Sequence, residues 1–177
     1  MKVIAFAAVS GGGKTALVNA VKRRLPRAEA LYFDSYSFEG EPEDFYQWAI
    51  RGADYGVWRL APLREDILAI RSKEVCDFLL LDYPFGYCHA EIRSYIDCAV
   101  FIDTPLDIAM ARRVLRDQGE ASGTQIRQEL ALYLKYGRIS YLQMLRDILP
   151  QSDYVIDGTK SLTEETNEVI KIITSLQ

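Results

Sequence analysis

Three consecutive glycines followed by a lysine and a threonine carry the clearest chemical signal in this chain. Residues Ser10-Gly11-Gly12-Gly13-Lys14-Thr15 match the pattern G-x-x-x-x-G-K-[ST], except that Ala8 replaces its first glycine. Such glycines let backbone N–H groups turn inward, and the N-terminus of a following helix adds partial positive charge. Ser10–Ala16 is therefore predicted to bind nucleotide phosphates, with Lys14 at the β- and γ-phosphates and the Thr15 hydroxyl on Mg²⁺. A glycine-rich turn that only caps a helix is the alternative.

Two aspartates follow other apolar runs and offer complementary chemistry. Asp34 comes directly after Tyr32-Phe33 and could accept a proton from an attacking hydroxyl or orient that hydroxyl. Its alternative role is that of a turn or helix N-cap residue. Asp82 follows Phe78–Leu81, and an apolar run that ends in Asp is typical of the second Mg²⁺-binding element of nucleotide-hydrolysing proteins with this loop. Thr15 and Asp82 are thus the predicted metal ligands.

Three arginines lie in the candidate helix Leu106–Asp117. Spacings of three and four residues place Arg116 beside both Arg112 and Arg113 on the helix surface. Arginines in this arrangement can bind phosphates and stabilise charge on a phosphoryl group during its transfer. A solvated basic face is the alternative.

Two loops extend this candidate site. The segment Gly119–Gly123 has the most flexible composition in the chain, and it indicates a lid at about residues 112–127. Gly158 and Thr159 follow the last apolar run, where an adenine ring often rests in folds of this kind; a plain turn explains them nearly as well. The aromatic residues Tyr83, Phe85 and Tyr87 either wall a pocket for a planar ring or pack in the core.

The elements that must position these residues alternate between strands and helices. Five apolar runs predict strands, namely Val3–Val9, Ala30–Phe33, Val75–Leu81, Ala99–Ile102 and Tyr154–Ile156. Because these runs are apolar almost throughout, they are typical of strands that are buried on both faces of a parallel sheet. Helices are predicted between and after them, at Lys14–Leu25, Glu43–Ile50, Leu63–Lys73, Leu106–Asp117, Gln125–Leu149 (with a potential break at Gly137) and Leu162–Leu176.

This alternation predicts an α/β fold of three layers, a five-stranded parallel sheet with helices on both faces. In such a sheet the ligand crevice lies at the carboxyl ends of the strands, where all the candidate residues fall. A chain of 177 residues is expected to form a single domain, 1–177.

Composition narrows the function classes further. The net charge of −4 disfavours nucleic acid as the main partner. The apolar runs are too short to cross a bilayer, and the first residues do not match a signal peptide. The three cysteines show no CxxC spacing, as expected of reduced thiols, so the sequence predicts a cytoplasmic protein with no membrane association.

The motifs together resemble the uridine kinase-like and nicotinamide riboside kinase-like branch of P-loop kinases. The resemblance spans most of the chain and is strongest at Ala7–Thr15, at Tyr32–Tyr36 and at Val100–Pro105 continuing to Ala111–Asp117, which is similar to the family segment F-[IV]-D-T … R-R-x-x-R-D. It implies ATP and Mg²⁺ as cosubstrates and the phosphorylation of a small-molecule hydroxyl, commonly on a ribose.

The resemblance also implies roles for individual residues. Asp34 matches the residue taken as the catalytic base, and Arg112, Arg113 and Arg116 match the lid arginines. The implied catalytic set is Lys14, Asp34, Arg113 and Arg116, while Arg112, Gly158 and Thr159 join the phosphate loop in nucleotide binding.

Two departures from the family pattern leave the acceptor unidentified. Ser35-Tyr36 stand where the family has a second Asp and an aromatic residue, and Asp117–Glu120 replace further lid arginines. The family builds its acceptor site in the segment that is here 39–63, which contains Trp48, Arg51, Asp54, Tyr55, Trp58 and Arg59. The candidate acceptor-binding residues are Tyr36, Trp48, Arg51, Asp54, Trp58, Tyr83 and Phe85.

Two other functions remain open at this point. An ATP-dependent switch with slow hydrolysis would need no acceptor, although the N-K-x-D segment of a GTPase is absent from the sequence. A kinase that acts on a nucleotide or a cofactor precursor differs only in the acceptor. A homodimer is also open, because the long helix predicted at Gln125–Leu149 could pack against a partner.

Overall fold

The computed structural model describes residues 1–176 and is organised around a five-stranded parallel sheet. The strands are β1 (Lys2–Ala7), β2 (Ala28–Tyr32), β3 (Phe78–Asp82), β4 (Cys98–Asp103) and β5 (Tyr154–Asp157). Their order is β2-β3-β1-β4-β5, and every neighbouring pair is parallel. The predicted sheet is confirmed, with β1 in its centre.

Seven α-helices are present within residues 1–176. They are α1 (Lys14–Arg24), α2 (Phe45–Ile50), α3 (Ala61–Lys73), α4 (Leu106–Asp117), α5 (Gly123–Leu132), α6 (Arg138–Asp147) and α7 (Leu162–Ser175). Across that same stretch, no helix has both the length and the apolar character that crossing a membrane requires.

The central strand contributes side chains to two separate cores, because successive side chains of a strand point to opposite faces of the sheet. Ile4 and Phe6 pack with apolar residues of α1 and α7 on one face. Val3 and Ala5 pack with Leu63 of α3 on the other face. Helices therefore cover both faces of the sheet, and the predicted three-layer α/β architecture is confirmed.

The outer strands differ from the prediction that all strands are buried on both faces. In β5, Val155 is 48% exposed, and β2 contains no fully buried residue. Both strands lie at the edges of the sheet, where a neighbour exists on one side only. The third strand also begins later than predicted: Val75 is exposed, and β3 starts at Phe78 after Glu74 ends α3 in the left-handed conformation (φ +50°).

The long helix predicted at Gln125–Leu149 is divided into α5 and α6 by a π-helical turn, Tyr133–Gly137. The turn ends at Gly137, the residue predicted as a break. A side-chain carbon at Gly137 would lie 3.4 Å from the rings of both Tyr133 and Tyr46, so glycine allows the turn to pack closely against α2. The first helix of the pair begins at a capping box of Ser122 and Gln125, slightly earlier than predicted.

Candidate active site

The phosphate loop connects β1 to α1 and needs glycine at two strained positions. Gly11 and Gly13 have φ values of +81° and +96°, which side chains rarely adopt. In addition, a side-chain carbon at Gly11 would lie 2.1 Å from the carbonyl oxygen of Ala109 in α4. The glycines therefore allow both the curvature of the loop and its close contact with α4.

Ala8, the one departure from the loop pattern, is accommodated in the interior. It is 2% exposed and packs in the core beneath α1. A side-chain carbon at Gly12 would lie 2.8 Å from the Ala8 side chain, so the extra methyl group fits because residue 12 is glycine.

The two polar side chains of the loop converge on Asp82. The Lys14 ammonium donates a hydrogen bond to Asp82 Oδ1, and the Thr15 hydroxyl donates to Asp82 Oδ2 at 2.5 Å. The Asp82 side chain is only 5% exposed and lies at the end of β3, paired in register with Phe6 and Tyr32. A hydroxyl and a carboxylate side by side are oxygen ligands of the kind that Mg²⁺ takes, so the residues fit the predicted ion.

Asp34 lies across the same cavity from the phosphate loop. It occupies a short 3₁₀ turn, Phe33–Ser35, which follows β2 at the same edge of the sheet as the loop. Its carboxylate is exposed and has no hydrogen bond or ion pair with any other residue of 1–176. A substrate hydroxyl that enters the cavity would find this carboxylate available as a proton acceptor.

The three arginines of α4 have different partners. Arg112 and Arg116 line the cavity; Arg112 donates to the Gly158 carbonyl at 3.2 Å, and Arg116 approaches Ser10 Oγ at 3.5 Å. Arg113 does not line the cavity, because its guanidinium donates to Glu129 of α5 at 2.7 Å and faces the Tyr141 hydroxyl at 3.4 Å.

Ion pairing also fixes the end of α4. Arg116 binds both carboxylate oxygens of Asp117, at 2.6 and 3.0 Å. This hydrogen bonding lowers the pKa of the Asp117 carboxyl below its ordinary value. The predicted lid region, at about residues 112–127, therefore contains the Arg116–Asp117 ion pair, and Arg116 also lines the cavity.

The cavity has a volume of about 590 Å³ and divides into two halves. One half is the phosphate loop with Arg112 and Arg116. The other half has an aromatic wall, in which Trp58 lies 4.9 Å from Phe85 and 5.0 Å from Trp48 between ring centroids. The complete aromatic wall is Phe33, Phe45, Trp48, Tyr55, Trp58 and Phe85.

The structure brings some of the predicted acceptor residues to this wall and places others elsewhere. Trp48, Trp58 and Phe85 line the cavity. Tyr36 instead donates to Asp66 at 2.7 Å, and Tyr83 is fully buried in the core.

Polar residues of the same segment have local roles in the structure. Asp54 caps the 3₁₀ turn Tyr55–Val57 by accepting the Gly56 N–H at 2.9 Å. Arg51 is exposed at the end of α2, and Arg59 donates to the Gly56 carbonyl at 3.2 Å. None of the three lines the cavity.

The loop after β5 stands beside the arginines. Thr159 donates both its N–H and its hydroxyl to Asp157, while the Gly158 carbonyl accepts from Arg112. Neither residue lines the cavity, so their predicted nucleotide contact would occur outside its walls.

Several cavity residues were not predicted from the sequence. Ser140, Tyr141 and Met144 come from α6, and the predicted helix contained no chemical pattern that could identify them. Phe45 and Glu41 also line the cavity. They lie within the predicted acceptor segment 39–63, and their membership of that segment was the only feature of the sequence that pointed to them.

Comparisons with known proteins concern the sequence and the fold of the chain. No family model matches the chain. The uridine kinase of Borrelia hermsii is 24% identical over an alignment that covers 88% of this chain and 86% of that protein.

Solved structures show the same fold. A possible uridine kinase from Bacillus stearothermophilus superposes with a TM-score of 0.53 at 14% identity, covering 88% of each chain. An uncharacterized protein from Eubacterium ventriosum gives a TM-score of 0.58 at 17% identity, covering 98% of each chain. The predicted resemblance is confirmed: the chain has a three-layer P-loop fold and a uridine kinase-like sequence, which together support a small-molecule kinase.

Proposed function

We propose that this protein is an ATP-dependent kinase that transfers the γ-phosphate to a hydroxyl of a nucleoside or another ribose-containing compound. The observation that carries the proposal is one cavity that joins a phosphate loop, the unpaired carboxylate of Asp34 and an aromatic wall. A phosphate cradle alone would serve any nucleotide-binding protein. The acceptor half, with a base beside it, is what phosphoryl transfer to a small molecule requires.

In the proposed reaction, Asp34 accepts the proton of the acceptor hydroxyl while the hydroxyl oxygen bonds to the γ-phosphorus of ATP. The bond from that phosphorus to the β–γ bridging oxygen breaks, and ADP leaves with the bonding electrons. Positive side chains at the phosphates stabilise the charge that is spread over the transferred group. Lys14, Arg112 and Arg116 line the phosphate half of the cavity and are placed for this role.

Arg113, unlike Arg112 and Arg116, does not line the cavity. Its guanidinium is engaged by Glu129 and lies near Tyr141, so a direct contact with the transferred phosphate would require it to leave these partners. Its proposed catalytic role therefore depends on a movement of α5 that exchanges the carboxylate for phosphate.

Thr15 and Asp82 would hold Mg²⁺ at the phosphates. The ion, when bound, neutralises phosphate charge and orients the γ-phosphate for in-line attack. In the structure the Thr15 hydroxyl donates to the Asp82 carboxylate at 2.5 Å, so the two side chains that would hold the ion are already adjacent.

The charge distribution of the cavity favours an acceptor without a phosphate group. Its cationic side chains, Lys14, Arg112 and Arg116, all belong to the phosphate loop or α4, whereas the acidic residues Asp34 and Glu41 come from the segment after β2 that also supplies aromatic residues of the wall. These two carboxylates would repel an anionic group on an acceptor that binds at the wall. A nucleoside fits the acceptor half better than a nucleotide does, since its base can stack on aromatic rings and its hydroxyls can reach the carboxylates.

An acceptor screen tests the proposal. ADP formation from ATP is measured with a panel of nucleosides, vitamins and sugars, each ribonucleoside being paired with its own 5′-monophosphate. We expect at least one hydroxyl compound to stimulate ADP formation, and a nucleoside to exceed its monophosphate. If ATP binds but no member of the panel stimulates turnover, the protein is better described as an ATP-dependent switch, and the kinase proposal is wrong.

A further inference from the structure

A buried threonine connects the end of β4 to the phosphate loop. Thr104 directly follows β4 and is 1% exposed. Its hydroxyl donates a hydrogen bond to the carbonyl oxygen of Gly12 at 3.0 Å, across a sequence separation of 92 residues. The bond therefore holds one particular peptide group of the loop from outside the loop.

That peptide group has its N–H on the opposite side. No cis peptide bond occurs among residues 1–176, so the Gly12 carbonyl and the Gly13 N–H point in opposite directions. Gly13 lines the cavity, and its N–H has no hydrogen-bond partner in the described part of the chain. With the carbonyl held by Thr104, the N–H is directed away from the core and is available to a phosphate oxygen.

The peptide between Gly12 and Gly13 is also one that can rotate easily. Both flanking residues are glycines, so no side chain opposes the change in dihedral angles that reverses a peptide plane. In the reversed state the Gly12 carbonyl oxygen would face the phosphates and repel them. Because the loop needs these glycines for its curvature, a hydrogen bond from outside the loop is needed to keep the peptide plane in one orientation.

Thr104 also lies against the loop after β5. A side-chain carbon at Gly158 would lie 1.9 Å from the Thr104 hydroxyl oxygen, so this oxygen keeps its position only because residue 158 is glycine. The Gly158 N–H donates to the Asp103 carbonyl at 2.9 Å, and the Gly158 carbonyl accepts from Arg112. The Thr104 hydroxyl that binds the phosphate loop therefore lies directly against Gly158, the residue whose carbonyl binds Arg112.

We propose that Thr104 is a positioning residue for ATP: its hydroxyl fixes the Gly12–Gly13 peptide so that the Gly13 N–H faces the phosphates. The inference rests on the proposed function only in requiring that the loop bind ATP. It assigns no contact between Thr104 and the nucleotide.

Binding measurements on three variants test this role. Thr104→Val keeps the shape of the side chain and removes the hydroxyl, while Thr104→Ser retains the hydroxyl. Thr166→Val is the matched control, since Thr166 is also buried (2% exposed) and its hydroxyl also donates to a backbone carbonyl, that of Leu162, at 2.5 Å. The dissociation constants of Mg-ATP and of tripolyphosphate are measured by calorimetry, well below each variant's unfolding temperature.

We expect Thr104→Val to weaken both ligands by roughly 10- to 100-fold, the range for losing one hydrogen bond to a charged group. Thr104→Ser should bind close to wild type, and Thr166→Val should bind as wild type even if it unfolds at a lower temperature. The amide proton resonance of Gly13 should shift on ATP binding in the wild type and lose most of that shift in Thr104→Val.

Three results would overturn the proposal. Equal ATP affinity in the wild type and Thr104→Val would show that the hydroxyl does not position the loop. Equal losses in Thr104→Val and Thr166→Val would show a general effect of destabilisation. A wild-type protein that binds neither ATP nor tripolyphosphate would remove the proposed function and this inference with it. If Thr104→Val does not fold, Thr104→Ala replaces it in the comparison with Thr104→Ser.

Discussion

Asp82 is the residue on which the polar chemistry of the phosphate loop converges. A carboxylate that is only 5% exposed needs compensation for its lost hydration, and here Lys14 and Thr15 both donate to it. In the proposed function, Thr15 and Asp82 would hold Mg²⁺, and Lys14 would contact the phosphates of ATP. The hydrogen bonds in the structure already bring these three side chains together.

Removal of the Thr15 hydroxyl should weaken the response to Mg²⁺. We expect Thr15→Ala to raise the Mg²⁺ concentration for half-maximal ADP formation by about tenfold or more, the usual cost of disturbing a metal's surroundings. Thr15→Ser, which retains the hydroxyl, is the control and should stay near wild type. The measurement is a Mg²⁺ titration at saturating ATP; an unchanged midpoint for Thr15→Ala would exclude this residue as a ligand.

For single residues, the sequence predicted the position of side chains that stand at the ends of strands. It did not predict the direction of side chains whose orientation depends on packing. Lys14, Asp34 and Asp82 meet at one edge because parallel strands end together there. Tyr36 and Tyr83 were predicted at the acceptor from their proximity in sequence to these strand ends, yet their side chains turn to Asp66 and to the core. Side-chain direction is set by neighbours that a local pattern does not include.

The connection between α4 and α5 lies within the region predicted as a lid, at about residues 112–127. Arg113 of α4 pairs with Glu129 of α5 at 2.7 Å, and the two side chains are 26% and 20% exposed. Because the pair is partly buried, salt screens its attraction less than that of a fully exposed pair. The pair joins the two helices on either side of the short connection between Asp117 and Gly123.

Loss of this ion pair should loosen α5. We expect Glu129→Gln to lower the free energy of unfolding by about 1 kcal/mol and to speed amide hydrogen exchange in residues 123–132. Glu168→Gln is the matched control, because it breaks the more exposed pair between Lys160 and Glu168 (39% and 38% exposed). Equal effects of the two substitutions would show that the Arg113–Glu129 pair has no special role in holding the lid.

The π-helical turn shows why the sequence could predict these helices only in part. The apolar period of Gln125–Leu149 predicted one helix, and Gly137 marked a potential break. Gly137 at the end of the turn packs closely against Tyr46 of α2, a contact between residues far apart in the sequence that a local pattern does not include. Tyr141 and Met144 of α6, which follows the turn, line the cavity, and their place there likewise depends on packing between helices.

At the scale of the whole molecule, a hydrogen bond of the single histidine, His89, connects the segment predicted to bind the acceptor, 39–63, to the loop after β3. His89 is 2% exposed, and its Nε2 lies 3.1 Å from the Trp58 carbonyl. Because a carbonyl only accepts, Nε2 carries the proton, and Nδ1 accepts the Glu91 N–H at 3.3 Å. The neutral imidazole thus satisfies both of its nitrogens, and burial lowers its pKa below the ordinary value of 6.5.

This burial makes the stability of the fold depend on pH. Below pH 6.5 the unfolded chain binds a proton at His89 that the folded chain does not, so the free energy of unfolding is highest above pH 6.5 and falls as the pH drops toward the folded-state pKa. The slope reaches at most about 1.4 kcal/mol per pH unit. Denaturant unfolding of the wild type between pH 7.5 and 5 should show this loss.

His89→Asn is the control for the pH experiment, because the chain contains no other histidine. The variant will be less stable at pH 7.5, but its stability should change little between pH 7.5 and 5.5. A wild-type stability that is flat or rising as the pH falls through 6.5 would contradict the assignment of a buried neutral imidazole.

The proposed reaction requires that the cavity bring ATP and a hydroxyl acceptor together at Asp34, and γ-labelled ATP makes this transfer measurable. The protein is incubated with the labelled ATP and the best acceptor of the screen, and label is counted in the acceptor and in inorganic phosphate. We expect the wild type to move the label to the acceptor in step with ADP formation. Asp34→Asn should slow this transfer by about 10²- to 10⁴-fold while ATP affinity stays close to wild type. Label that appears only as inorganic phosphate, or a transfer rate that Asp34→Asn leaves unchanged, would contradict the proposed reaction.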